Sequence, residues 1–445
     1  MSIRAETQYQ IDIRVGQKDL TSFLTKVKIV QSIVNTWTIV YLNFHMDNQE
    51  IIENNLFGQE NIYFKLWVTA ENGDKVADSE IQMHLIYLES NLDLPLKQHL
   101  NLDAEKREDQ RRPIIVACIN QQSYSVMSSH VNKIWEEDRS SPAITPLDFV
   151  KEVLEEKGYL SDALIVPDGL NEAIVNQFVV PPMSFNNFVN FTHEKLGIFK
   201  GPMFSFCNYA GQYQLWDLNQ KIMKEKDNPK IIIHKLPSYT PDEKLFIDVM
   251  KTCNENPDKH YVTGEDVETI HFSNAHVVKN GFNVTYIAKP TTDLYHFHNR
   301  NVLQTVEEEG LWNETEKLKI NLKDLKERKK YFTDSTGFQL GGYSPIYGEE
   351  YYKSKMSQKY ASCYGIKIKV GGNIRPLHFI HVGEVMEYRP YNDFEKDIPD
   401  VDISGAYINH SVELNIFKMT DDGNVQDNYG SRAFLTGIRT VQSRK

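Results

Sequence analysis

A regular alternation of apolar and polar residues near the end of the chain constrains the fold more than any other feature. Between Ile366 and Val370, isoleucine and valine alternate with lysine, and the segments 378–388, 405–417 and 432–441 read as further strands separated by turns. Successive side chains of a β-strand point to opposite faces, so this pattern indicates strands with one buried face. Together with residues 351–363, which can form a helix, it predicts a helix leading into a small closed antiparallel barrel.

The segment Gly405–Phe417 makes the prediction specific. We expect the apolar side chains Ile408, Val412, Leu414 and Ile416 to share one buried face of a strand. Glu413 and Asn415 should point away from that face. The turn at Asp421–Gly423 then leads into the last strand.

The first 118 residues have the same character. Tyr9, Ile11, Ile13 and Val15 alternate with polar residues, and Ile62, Phe64, Leu66 and Val68 repeat the pattern. Further strands are predicted at 37–44 and 83–90. Short strands at this spacing favour a small antiparallel barrel over residues 1–118, and the charged run 103–112 is predicted to be a solvated loop between domains.

Residues 119–230 are predicted to form an α+β domain. Thr145 followed by Pro146 begins a helix with Phe149, Val150, Val153 and Leu154 on one face, ending at Gly158. Ser184 is predicted to cap a second helix, with Phe185, Phe188, Val189 and Leu196 inward and an end at Gly197. A hairpin is predicted from 203 to 217, with its turn at Ala210–Gly211.

The third part of the chain is predicted to be split. Residues 231–300 and 349–445 should form one barrel domain, with strands at 268–273 and 280–289 contributing to it. Residues 301–348 read as a helical and loop insertion with Leu311, Leu318, Leu322 and Leu325 on one helical stripe. That stripe can rest on its own domain or contact a neighbouring protein.

Composition excludes several classes of protein. With 49 basic and 61 acidic residues the net charge is −12, and no dense basic block points to a dedicated nucleic-acid binder. The four cysteines (Cys118, Cys207, Cys253 and Cys363) are far apart and are predicted to be buried free thiols, which fits a reducing, intracellular assembly compartment. The polar N-terminus does not predict a signal peptide, and polar residues interrupt Ile29–Met46, so no membrane span is predicted.

We find no constellation of residues typical of an enzyme. The sequence has no Gly-x-Ser-x-Gly elbow, His-Glu-x-x-His motif or phosphate-binding glycine loop. His296 and His298 have the spacing of two metal ligands on a strand, and His378 and His381 are a weaker pair, but neither has a clear third ligand. We therefore predict a protein that is not an enzyme, with no catalytic residues, no cofactor and no metal site.

Three stretches resemble baseplate central hub proteins of contractile-tailed bacteriophages. The helix, strands, long loop and hairpin of 351–441 resemble that family's second tube domain, and IIENNLFGQENIYFKLWV (Ile51–Val68) resembles part of its first. The order of PPMS, helix, glycine and hairpin in 181–217 resembles its peripheral domain. The resemblance implies a mainly β, α+β fold with two small antiparallel tube-type barrels, an α+β domain and the insertion.

The resemblance also implies a function. Hub proteins of this family form a homotrimeric ring that joins the tail tube to the cell-puncturing spike and lines the channel for genome passage. Expected partners are the spike, the tail tube or tube-initiator protein and the wedge proteins, with the tape measure protein as a further candidate. DNA should pass without specific binding. The expected location is the virion baseplate, after assembly in the host cytoplasm.

Two alternatives stay open at this point. The first is the hub of a bacteriocin- or secretion-type contractile injector; the chain stops soon after Val441, which favours a separate spike chain. The second is a tail-associated peptidoglycan hydrolase, which the missing catalytic motifs disfavour.

Overall fold

The protein is known from a computed structural model. It describes residues 8–33, 35–47, 50, 61–69, 73–76, 78–91, 112–136, 144–159, 164–165, 170, 177–199, 203–225, 228–235, 260–271, 283–288, 295–301, 333–334, 364–371, 376–390, 405–421 and 424–441.

The described part of the chain is mainly β-structure, as the alternation predicts. Its N-terminal strands are β1 (Gln8–Val15), β2 (Lys18–Asp19), β3 (Leu24–Ser32), β4 (Ile39–Met46), β5 (Ile62–Thr69), β6 (Ile81–Asn91) and β7 (Arg112–Asn120). In β1 and β5 every second residue is buried, and these are the apolar residues named from the sequence. A short 3-10 turn at Thr21–Phe23 precedes β3.

The next part of the chain mixes helices and strands. Its elements are α1 (Gln121–Met127), β8 (His130–Glu136), α2 (Pro146–Glu156), β9 (Leu164–Ile165), β10 (Gln177–Ser184), α3 (Phe185–Leu196), β11 (Met203–Cys207), β12 (Tyr213–Asp217) and α4 (Leu218–Glu225). Strands β8 and β10 pair in a two-stranded sheet, and β11, β12 and β9 form a three-stranded one. The hairpin of β11 and β12 is the one predicted from the sequence.

The two predicted helix starts and stops are found where the sequence places them. Thr145 and Asp148 form a capping box at the start of α2, and Gly158 follows its end with a φ of +76°. Gly197, at φ +74°, ends α3. Ser184 stands at the N-cap position of α3, but its hydroxyl makes no capping bond there.

The remaining strands complete the main sheet. They are β13 (Ile231–Lys235), β14 (His260–His271), β15 (Asn283–Ala288), β16 (Tyr295–Asn301), β17 (Thr333–Asp334), β18 (Tyr364–Gly371), β19 (Val385–Pro390), β20 (Gly405–Asp421) and β21 (Asn424–Val441), with a 3-10 turn at Leu377–Phe379 before β19. The two longest, β20 and β21, form a hairpin that we call the shared hairpin.

Strand pairing in the main sheet runs in two circuits that meet at the shared hairpin. The N-terminal circuit passes through β1, β5, β6, β7, β4, β3, β20 and β21, and it closes on β1 by the pairing of Tyr9 with Tyr429. The C-terminal circuit passes through β19, β13, β14, β18, β21 and β20, and it closes by the pairing of β19 with β20. The large sheet is therefore built from both ends of the chain.

Three expectations about the C-terminal strands are wrong. Strand β13 pairs in parallel with β14 and β19, so pairing is not antiparallel throughout. Strand β15, expected in the second barrel, pairs instead with β16 and β17 in a separate three-stranded sheet. The predicted strand 378–388 begins only at Val385, because a 3-10 turn and Gly383 at φ +75° bend the preceding residues.

The face assigned to Ile408 is also wrong. Val412, Leu414 and Ile416 are buried in the main core, but Ile408 belongs to a separate small cluster with Val385 and Ala406. The register shifts between Asn409 and Ser411, so one extra residue is inserted there. A bulge of this kind reverses the facing of everything beyond it, and Tyr407 takes the core position instead.

Two hydrophobic cores lie on either side of the hairpin β11–β12. Phe204 and Phe206 pack into the main core with the strands of both circuits. Cys207, Tyr213 and Leu215 pack into the second core with α2 and α3. The α+β part therefore shares a hairpin with the main core. Within the described residues, no helix is both long enough and apolar enough to cross a membrane.

Candidate functional site

The histidines and cysteines singled out in the sequence do not assemble a metal centre among the described residues, where no group of three potential ligands gathers. His296 and His298 lie on β16, whose side chains are outside the described part. His378 Nδ1 lies 3.2 Å from the Tyr9 hydroxyl. Cys118 and Cys207 are buried free thiols, as predicted, and burial raises the pKa of each to about 12; Cys253 and Cys363 lie outside the described residues.

The segment Pro376–Pro390, which we call the junction, is where distant parts of the chain meet. Strand β1 reaches it first: the Tyr9 hydroxyl accepts hydrogen bonds from the backbone N–H of Leu377 (2.8 Å) and of His378 (3.4 Å). Tyr9 is fully buried, and burial raises the pKa of its hydroxyl. These bonds satisfy backbone groups that the 3-10 turn leaves free, and they fix the N-terminal strand to the C-terminal part of the chain.

The α+β part packs onto the same segment through aromatic rings. The rings of Phe206 and Tyr209 lie 6.0 and 5.0 Å from the His381 imidazole, measured between centroids. The Phe204 ring lies directly over Gly383, so closely that a Cβ at this position would overlap it. Gly383 is therefore required twice, by its positive φ and by this contact.

A charged cluster completes the junction on the side of α4. Lys221 Nζ lies 3.0 Å from Glu225 Oε1, and these side chains are only 8% and 16% exposed. Glu225 Oε2 accepts a hydrogen bond from the backbone N–H of Val385 (3.2 Å), which ties α4 to the start of β19. The ammonium of Lys221 also lies 4.0 Å from the centroid of the Trp216 ring, a cation–π contact.

Two further titratable groups belong to this cluster. The Glu384 carboxylate accepts a hydrogen bond from the backbone N–H of His381 (3.0 Å). Burial raises the pKa of Glu384, against the opposing effects of that bond and of Lys221 and Lys230. Burial also lowers the pKa of His381 to about 4, so its imidazole is neutral beside the two lysines. We interpret the junction as a structural joint, since Tyr9, Glu225 and Glu384 all accept hydrogen bonds from backbone N–H groups of this segment.

The outer side of the shared hairpin carries a different kind of surface, which we call the cationic face. It consists of the outward residues of three adjacent strands: Lys26, Lys28 and Val30 of β3, Glu413, Asn415 and Phe417 of β20, and Arg432 and Phe434 of β21. Arg432 is exposed, and its guanidinium lies 5.9 Å from the centroid of the Phe417 ring. Lys28 Nζ forms an ion pair with Glu413 Oε2 at 2.9 Å.

Asn415 corrects one expectation on this face. It points outward with Glu413 as predicted, yet it is only 6% exposed. Lys28 and Arg432 stand directly opposite it on the two neighbouring strands, and its amide donates to Glu413 Oε1 at 3.0 Å. Long side chains thus cover a short one in the middle of the row. Partial burial acts to raise the pKa of Glu413, but the bonds from Asn415 and Lys28 outweigh it and lower that pKa.

An exposed apolar pair lies on the two-stranded sheet of the α+β part. Ile134 of β8 and Val179 of β10 stand directly opposite each other. They are 65% and 53% exposed. The other side of this sheet packs Trp135 and Phe178 against α2 and α3. Sequence alternation does not mark Ile134 and Val179 as exposed, because apolar residues stand next to each of them: Trp135 beside Ile134, and Phe178 and Val180 beside Val179.

The leucine stripe Leu311, Leu318, Leu322 and Leu325 lies outside the described residues, as do the predicted helix 351–363 and the charged run 103–111. The junction was missed from the sequence, because its partners are separated from it by up to 369 residues. No local pattern relates Tyr9 to His378.

The fold of the chain has counterparts among solved tail proteins. It is similar to the tail protein from Neisseria meningitidis MC58, with a TM-score of 0.51 and 9% identity over 97% of this chain and 96% of that one. It is also similar to the 43 kDa tail protein of prophage MuSo2 from Shewanella oneidensis, with a TM-score of 0.49 and 10% identity over 97% and 98% of the two chains.

A third similar structure is the Francisella PdpA-VgrG complex in its lidded form, with a TM-score of 0.46 and 9% identity. The comparison covers 100% of this chain but 55% of that one. No protein-family model and no curated sequence matches the chain. At these sequence identities the comparisons show a shared fold only, and this conclusion rests on the Neisseria protein. The resemblance inferred from the sequence is confirmed at that level.

Proposed function

We propose that the protein is the structural hub of a phage tail baseplate, a homotrimeric ring that joins the tail tube to the spike and lines the channel for the genome. The observation that carries the proposal is the pair of strand circuits on one shared hairpin. We interpret each circuit as one small tube-type barrel. Three copies would then place six similar barrels around one axis, the arrangement that the resemblance implies.

The physical reason for a ring lies in how sheets are covered. A long strand with free backbone groups pairs readily with another chain, and closed circuits remove most such edges within the protomer. Copies of the chain must then assemble through their outer faces, and a closed cyclic ring gives every copy the same contacts. The fold shared with a tail protein makes this the first function to test.

The proposal also gives the parts of the chain their roles. Residues 1–118 would form the first tube domain together with the shared hairpin, and 119–230 would form the peripheral α+β domain. Residues 231–300 with 349–445 would form the second tube domain, with β15 and β16 in a sheet of their own outside its barrel, and 301–348 would be an insertion. The partners would be the spike, the tail tube or tube-initiator protein, the wedge proteins and the tape measure protein. The protein would reside in the virion baseplate and act without catalysis.

Mass photometry of the purified full-length chain at rising concentration tests the ring. We expect a species of about 155 kDa, three times the chain mass of 51.6 kDa, together with ring-shaped particles in negative-stain images. A monomer or dimer that persists at the highest concentrations, with no ring in the images, would contradict the proposal. A cell-wall zymogram tests the absence of catalysis: a cleared band would favour the peptidoglycan hydrolase.

A further inference from the structure

The cationic face stands out against the charge of the chain as a whole. It holds three of the 49 basic residues and one of the 61 acidic ones, so the acidic excess over the rest of the chain is 14. Its one carboxylate, Glu413, is already paired with Lys28. The face is therefore positive on a chain that is otherwise acidic, and this asymmetry indicates a partner of negative charge.

The arrangement of the face is as informative as its charge. Register places Lys28, Asn415 and Arg432 in one row across the three strands, with Lys26 and Phe417 in the next row. The half-buried rings of Phe417 and Phe434 flank Arg432 on β20 and β21. Arginine and aromatic residues are enriched where proteins contact one another, and the rims of such contacts are polar.

These residues favour a protein partner over nucleic acid. Proteins that hold duplex DNA by its phosphates make on the order of 6–10 such contacts. The cationic face offers three basic side chains, one of them neutralised by Glu413, and the adjacent strand β18 adds Lys367 and Lys369 on the same side of the sheet. This is still fewer than such proteins use. The apolar share of the face is unusual for a surface that follows a phosphate backbone.

We propose that the cationic face is a contact between copies of this chain, docking against an acidic surface of the neighbouring protomer. The inference rests on the proposed ring and specifies which surface builds it. In a cyclic trimer each contact joins two different surfaces, so a positive face must meet another part of the next copy. Because the rest of the chain has the acidic excess, a second copy supplies the complementary charge.

The test compares two triple variants that change charge by the same amount. The first reverses the cationic face: Lys26→Glu, Lys28→Glu and Arg432→Glu. The control reverses three exposed lysines on α2, its C-terminal end and α4: Lys151→Glu, Lys157→Glu and Lys224→Glu. Mass photometry gives the protein concentration at which half of each protein is trimeric, and circular dichroism checks that each variant is folded.

We expect the face variant to need a concentration at least about tenfold higher than the wild type, and the control to stay within about twofold. Because 1 M salt shortens the Debye length to about 3 Å, the difference between the variants should shrink there. Should the face variant fail to fold, the milder pair Lys26→Gln and Arg432→Gln serves in its place, with a smaller shift expected in the same direction.

Three results would overturn the inference. Equal trimer formation by the face variant and the control would reject this surface while leaving the ring intact. A wild type that never trimerises would instead reject the proposed function, and the inference with it. A wild type that binds a 30-base-pair DNA duplex at physiological salt, with binding lost in the face variant alone, would assign the surface to nucleic acid.

Discussion

Replacing Gly383 with alanine tests how the α+β part is joined to the rest of the molecule. Gly383 has a φ of +75°, and a Cβ there would overlap the Phe204 ring. The left-handed backbone costs a residue with a Cβ about 1–2 kcal/mol. Overpacking adds about 1–3 kcal/mol, because Phe204 is only 3% exposed and stacks on Phe206, so it cannot swing aside. We expect a total loss of about 2–5 kcal/mol.

Gly158→Ala is the matched control. Gly158 has nearly the same φ, +76°, but a Cβ there would meet nothing within 4 Å. It should therefore lose only the backbone part, about 1–2 kcal/mol. Urea denaturation followed by the fluorescence of the five tryptophans measures both losses. Adding Phe204→Leu to Gly383→Ala should recover part of the difference.

Equal losses in the two alanine variants would refute the packing of Phe204 on Gly383. So would a Phe204→Leu change that lowers stability by the same amount with and without Gly383→Ala. Either result would mean that β11 does not press on the junction as described.

Three further predictions concern the core, the charged cluster and the effect of pH. Leu414→Ala, at a fully buried position of the shared hairpin, should lower the free energy of unfolding in urea by about 2–5 kcal/mol, and Glu413→Ala on the opposite face by at most about 1 kcal/mol. Similar losses in the two variants would reject the strand register. Lys221→Met should lower stability by about 3–5 kcal/mol, because it leaves the Glu225 carboxylate buried without its cation, and adding Glu225→Leu should recover much of this loss. If the double variant instead loses as much stability as the two single variants added together, the pairing is contradicted. Burial lowers the pKa of His234 to about 4, so the stability that the neutral imidazole contributes is present above pH 6.5 and is lost as the pH falls towards 4. His234→Gln should therefore reduce the fall in unfolding free energy over that range by up to about 3 kcal/mol, and an unchanged pH dependence would contradict this.

Local structure was predictable wherever a local rule applied. The alternation around Tyr9, Ile62 and Ile366 predicted strands, because period two has one structural meaning when one face is buried. The Thr145–Pro146 start of α2 and its end at Gly158 followed from capping chemistry. The turn of the hairpin β11–β12 followed from its glycine and polar residues.

What failed depends on contacts between distant residues. The bulge next to His410 reverses the facing of β20, and nothing in the sequence separates it from a regular strand. The bend before Val385 interrupts an apolar run that reads as one strand. The parallel pairing of β13 and the separate sheet of β15 are set by the whole fold.

The two candidate sites also differ in how far the sequence predicts them. The residues of the cationic face alternate along their strands, so their outward facing could be predicted for Glu413, though not the burial of Asn415. The junction could not be predicted, since its bonds link β1, α4 and β19 across most of the chain. Such a joint follows from the closure of the circuits and has no motif of its own.

Electron cryomicroscopy of the purified protein, at a resolution that traces strands, is the most direct measurement of the central claim. The account predicts a ring of three-fold symmetry in which every protomer contributes two closed barrels that share the hairpin Gly405–Val441. It further predicts the cationic face at the boundary between protomers. A particle without three-fold symmetry, or a protomer in which the two circuits are one open sheet, would contradict it.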